Sequence, residues 1–104
     1  METSTWWEVR LDAERWVEDA VHTGDLDLDD RDMVEDWIHQ TADSCSHVIY
    51  YDNAYGLYRD NDCPIPTDDN PTGSIADQLM IYAYEAVRYA LELAVDKFKE
   101  DEDA

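Results

Sequence analysis

SIADQLMIYAYEAVRYALELAVDKFK, residues 74–99, decides the fold. Leu79, Tyr82, Ala83, Ala86, Ala90, Leu93 and Ala94 recur at intervals of three and four, the spacing of one helical face. Tyr84, Val87 and Tyr89 widen this belt, so the helix either has neighbours on several sides or touches a second subunit. Ser74 with Asp77 supplies a capping pattern at its start.

The same period governs the rest of the chain. In TSTWWEVRLDAERWVEDAVHTG, Trp6, Val9, Ala13, Trp16, Val17, Ala20 and Val21 form one stripe. Thr5 with Glu8 fits a capping box, and Gly24 fits a terminator. Met33, Val34, Trp37, Ile38, Thr41, Ala42 and Cys45 mark a second helix. Residues 47–59, HVIYYDNAYGLYR, carry strand-favouring side chains, but Val48, Tyr51, Tyr55 and Tyr58 keep helical spacing with no hairpin turn before them. DNDCPIPTDDNPTG then holds all three prolines and no helical period. The expected fold is one all-α domain over residues 1–104. Its four helices are expected at roughly 5–22, 31–44, 47–59 and 74–99, with an acidic loop before the last.

The charge sets this domain apart. Twenty-seven acids face seven bases, for a net −20, where a small domain carries about 2–8. Eighteen of the acids are Asp, the poorer helix former, and only two bases are lysine. Hydrophobic residues still make up 44%, so this is no disordered acidic tail. Self-repulsion on that scale opposes compaction and asks for a reason. Binding to nucleic acid or to an anionic membrane is excluded, and a basic partner is favoured. The acidic N-terminus is no signal peptide and no stretch is long and apolar enough for a span, which together predict a reduced, cytoplasmic protein with Cys45 and Cys63 as free, buried thiols.

GDLDLDDRD, residues 24–32, raises a calcium site, because Asp25, Asp27 and Asp29 alternate like the first ligands of an EF-hand loop. Position six should be glycine and is Asp30; position eight should be apolar and is Asp32; position twelve should be Glu and is Asp36. The loop fails where it must turn. His39, Asp43 and His47 would share a face on an unbroken helix, but a break is expected near Ser44–Ser46, and His39 reads as a half-buried packing residue. No Ser/His/Asp, Cys/His or glycine-rich phosphate pattern is present, so no catalytic residue, metal or cofactor is assigned and no enzyme is expected.

What remains is the distribution of acids. Helical residues four apart lie about 6 Å apart along the axis. Glu14/Glu18, Asp32/Asp36, Glu92/Asp96 and Asp96/Glu100 have that spacing. Duplex DNA carries one charge per ~1.7 Å of axis. Helix-borne carboxylates can approximate such a track where Lys and Arg do not interrupt it, and here they seldom do. The predicted phosphate mimics are Asp25, Asp27, Asp29, Asp30, Asp32, Glu35, Asp36, Asp43, Asp52, Asp68, Asp69, Glu92 and Asp96.

DMVEDWIHQTADSCSHVIYYDNAYGLY, residues 32–58, resembles the Ocr-like antirestriction proteins of podophages, through Asp36, Ile38, His39, Ala42, Asp43, Tyr50 and Asp52. The order of elements and the charge are similar over most of the chain, although the C-terminal tail is shorter and less acidic. The resemblance implies an all-α homodimer shaped like bent B-form DNA, a mimic that fills the DNA groove of a type I restriction–modification enzyme in the host cytoplasm. Three other readings stand beside it: an anti-CRISPR DNA mimic, a halophile's acidic surface, and an acidic adaptor or chaperone for a basic protein.

Overall fold

A computed structural model describes residues 4–67 and 74–103, with the side chains of residues 50–52 and 101–103 left aside. It contains helices α1 (Thr5–Thr23), α2 (Arg31–Arg59) and α3 (Ile75–Asp103), and no strand among the described residues. The all-α expectation holds. The helix over residues 74–99 is the centre of the molecule, since α3 packs on both α1 and α2, which themselves scarcely meet. Its buried positions form two adjoining rows, Ala83, Ala86, Ala90 and Ala94 beside Val87, Leu91 and Val95. Small residues in such a seam let neighbouring axes approach closely. None of the described helices is long and apolar enough to cross a membrane.

Two contacts fix the α1–α3 register. The Trp6 and Tyr89 rings lie 6.0 Å apart, and Lys97 Nζ donates to Glu14 Oε1 at 3.1 Å. Both pairs are 83 residues apart, so the two helices run parallel. α2 runs antiparallel to α3: Glu35 lies near Glu92, His39 near Tyr84, and Tyr55 near Ile75. The body measures 42 × 33 × 20 Å.

The caps follow simple chemistry. Ser4, one residue before the expected Thr5, accepts Trp7 N–H with its hydroxyl at 3.0 Å. Gly24 ends α1 at φ 86°, a left-handed conformation that costs glycine nothing. Ser74 accepts Asp77 N–H at 3.1 Å, as its pattern predicts.

One boundary moves. The expected break between helices at 31–44 and 47–59 does not occur at Ser44–Ser46, where α2 continues. Ser46 is buried and its hydroxyl donates back to the Asp43 carbonyl at 3.0 Å, which satisfies a serine inside a helix. The helical path is interrupted at Asn53 instead (φ −165°, ψ 37°). Its side chain folds over Gly56, where any Cβ would collide with it, and Asn53 Nδ2 reaches Thr5 Oγ1 at 3.4 Å. The turned segment then buries Ala54 and Leu57 and sets Tyr58 edge-on to Tyr82, with centroids 5.1 Å apart.

Candidate functional site: an acidic surface

The connector between α1 and α2 alternates. Leu26 and Leu28 are buried, while Asp25, Asp27 and Asp29 between and beside them face water. Two apolar anchors thus hold three carboxylates outward at every second residue. Their local partners are protein groups: Thr23 Oγ1 donates to Asp25 at 3.1 Å, and Asp29 N–H donates to Asp27 at 3.0 Å. Asp30 is the N-cap of α2 and accepts Met33 N–H at 3.2 Å. The acidic run is therefore a start signal for α2 as well as a surface. The two leucines were not singled out in the sequence, although an apolar residue at every second position of a connector is a readable anchor pattern.

Asp32, Glu35, Asp36 and Asp43 are exposed on α2, and Glu92 and Asp96 are exposed on α3. Glu35, Glu92 and Asp96 come together along an open groove of about 350 Å³ between the two helices. Arg31 and Lys99 line the same groove, so its acids have cations nearby. Glu92 is also 4.0 Å from Arg88. Asp43 lies elsewhere, in a hollow beside His47, Ile81 and Glu85. The side chain of Asp52, and the whole of Asp68 and Asp69, fall outside the described residues.

Equally exposed acids were passed over in that selection: Glu8, Glu18, Asp19, Asp62, Asp77, Glu85 and Glu100. Except for Asp62, which lies in the turn after α2, their place on the outer faces of the helices was legible from the same periodicity. Some acids are committed internally. Glu14 pairs with Lys97, and Asp12 pairs with Arg15 at 3.0 Å. Asp60 accepts Trp6 N–H at 2.6 Å and Asp62 N–H at 2.9 Å. Among the described residues only three acids, Asp12, Glu14 and Glu92, stand in ion pairs.

Among the described residues, two titratable groups show a clear shift, neither in the acidic surface. The Cys45 thiol is pushed up by burial and then by the Asp12 carboxylate. The Tyr82 phenol is pushed up by burial and by its hydrogen bond with Cys63. Its hydroxyl donates to the Ile65 carbonyl at 2.9 Å and lies 3.1 Å from Cys63 Sγ. Both cysteines are free, and both are half-buried rather than fully buried. His39 is exposed rather than half-buried, because its Nδ1 shares a 2.8 Å hydrogen bond with the Tyr84 hydroxyl at the helix edge. Continuity of α2 does align His39, Asp43 and His47, yet no group of three metal-ligating side chains converges among the described residues. Compared with protein-family models, curated proteins and solved structures, the chain gives no match.

Proposed function

We propose that this protein is a DNA mimic, a competitive inhibitor that fills the basic DNA-binding groove of a host defence complex in the cytoplasm. One observation carries the reading: carboxylates held outward, mostly without ion pairs, at roughly two-thirds of duplex charge density. With Glu2, Asp68 and Asp69 set aside, about 17 of the 20 net charges belong to a body 42 Å long. That is roughly one net charge per 2.5 Å, against ~1.7 Å for duplex DNA. At ~3.4 Å per base pair the long axis matches about 12 base pairs.

The mechanism involves no bond making. Unpaired carboxylates meet the Lys and Arg of a DNA cleft, steer association and exclude the duplex. The resemblance to Ocr-like proteins favours a type I restriction–modification enzyme as target, with an anti-CRISPR role differing only in which groove is filled. It also carries the proposal that two copies pair, to about −40 from −20 each, the charge of roughly 20 base pairs. Sedimentation at rising concentration tests the pairing.

The decisive experiment is capture of partners from bacterial lysate on the immobilised protein, washed with increasing salt. A restriction or CRISPR complex released by salt and by competing duplex supports the reading. Recovery of no basic DNA-binding protein sinks it. The low lysine content also suits a halophile surface, and circular dichroism separates the two: a halophile fold is lost in low salt, whereas a mimic stays helical.

A further inference from the structure

Not all of the surface is acidic. Among the described residues, the four most exposed large hydrophobic side chains are Ile75, Ile81, Val48 and Tyr55, at 70, 60, 56 and 55% exposure. All four belong to one end of the α2–α3 pair, formed by the second half of α2 and the start of α3. Two hollows open at that end of the α2–α3 seam, and they share no lining residue. The first, about 180 Å³, lies between Tyr55 and Tyr58 on α2 and Ile75 and Leu79 on α3. The second, about 210 Å³, is floored by Met80, Ile81 and Tyr84 and edged by Asp43 and Glu85.

A neutral apolar partner would satisfy the isoleucines and leave the edge carboxylates dry. Asp43 and Glu85 are exposed and stand in none of the ion pairs of the described residues. Burying them against an uncharged surface costs solvation that nothing returns. Arg59 is occupied over the Tyr55 ring at 5.1 Å, and Arg88, one turn from Glu85, pairs with Glu92. A second copy meeting this seam through its own would set Asp43 and Glu85 against the same two carboxylates, so the pairing proposed above belongs to another face. Charge and apolarity together select one occupant, and we infer that this seam docks a basic, apolar segment of a partner protein, its hydrophobic side chains in the two hollows and its Lys or Arg on Asp43 and Glu85.

This contact goes beyond DNA mimicry and does not depend on it. A phosphate-like track reads only what all DNA-binding clefts share. A small apolar anchor, by contrast, discriminates between partners. The two surfaces would also respond differently to salt, because the carboxylate track is screened throughout whereas the seam keeps its apolar part.

The test uses two synthetic helical peptides of equal positive charge, one with leucine and lysine on opposite faces, the other with serine replacing leucine. Anisotropy titrations at moderate salt should give at least a tenfold preference for the leucine peptide. Ile75→Ser/Ile81→Ser, changes at exposed positions with folding verified by circular dichroism, should abolish the preference while leaving binding of the serine peptide intact. Asp43→Asn/Glu85→Gln should weaken both peptides. Equal affinity for the two peptides overturns the inference, as does a preference that survives Ile75→Ser/Ile81→Ser. Sedimentation of a wild-type dimer that Ile81→Ser converts to monomer also overturns it, by giving the seam to a second copy. A negative lysate capture with a positive peptide result would remove the mimic reading alone.

Discussion

Asp60 Oδ2 accepts the backbone N–H of Trp6 at 2.6 Å, so the residue that closes α2 also caps the first turn of α1, 54 positions away. Its other oxygen accepts Asp62 N–H. In a chain crowded with carboxylates, this one is structural. Asp60→Ala leaves both donors without it and should lower stability by about 1–2 kcal/mol. Asp60→Asn keeps an acceptor but loses the charge at a helix N-terminus, worth about 0.3–1 kcal/mol. Urea unfolding of the two variants should rank them in that order.

The connector separates fold from surface residue by residue. Leu26→Ala or Leu28→Ala removes a buried side chain and should cost about 2–5 kcal/mol. Asp29→Asn, which removes one negative charge from an exposed neighbour, should stay within about ±0.5 kcal/mol. Thermal melts of the pair test whether the stretch is anchored as described; equal effects would contradict the alternation.

Alkaline stability should depend on Tyr82. Its folded phenol is raised, so below about pH 10 both folded and unfolded chains keep the proton and stability is complete. As pH climbs past that value the unfolded chain ionises first, and stability falls by at most ~1.4 kcal/mol per pH unit for this one group. Cys45, also raised, acts in the same direction from about pH 8.5. Tyr82→Phe should cost about 1 kcal/mol at neutral pH through the lost Ile65 bond. Its urea midpoint should then decline less between pH 9 and pH 11 than that of the wild type, a comparison that a pH series makes directly.

Inhibition, if it runs through the acidic track, should be distributed. Single changes such as Asp27→Asn or Asp36→Asn should weaken displacement of labelled duplex from a type I restriction enzyme by less than about 1 kcal/mol. Six together (Asp25, Asp27, Asp29, Asp32, Asp36 and Asp43 to Asn) should lower affinity roughly 100-fold and flatten its salt dependence. One substitution that abolishes displacement by itself would refute a spread-out contact.

Periodicity made the all-α class and the limits of α1 and α3 legible, because buried side chains at intervals of three and four leave a local mark. The position of the α2 break was not. Two serines look like an interruption, yet Ser46 finds its acceptor within its own helix, whereas Asn53 bends the chain through a side chain that reaches Thr5. Asp60 was hidden for the same reason, its partner being Trp6. Exposure of Asp25, Asp27, Asp29, Asp32 and Asp36 was readable from their spacing. That Glu35, Glu92 and Asp96 share a groove with Arg31 and Lys99 depends on the antiparallel register, which no local pattern encodes.

The parallel pairing of α1 with α3 has a consequence for the chain as it is made. Glu14 meets Lys97, and Trp6 meets Tyr89, only after 83 further residues have been added. At ~5–20 residues per second of synthesis, α1 waits roughly 4–17 s with its tryptophans and valines uncovered. A ribosome display of truncated chains should therefore find no protection of Trp6 until most of α3 has left the exit tunnel, making this small helical protein one that folds from its last helix backwards.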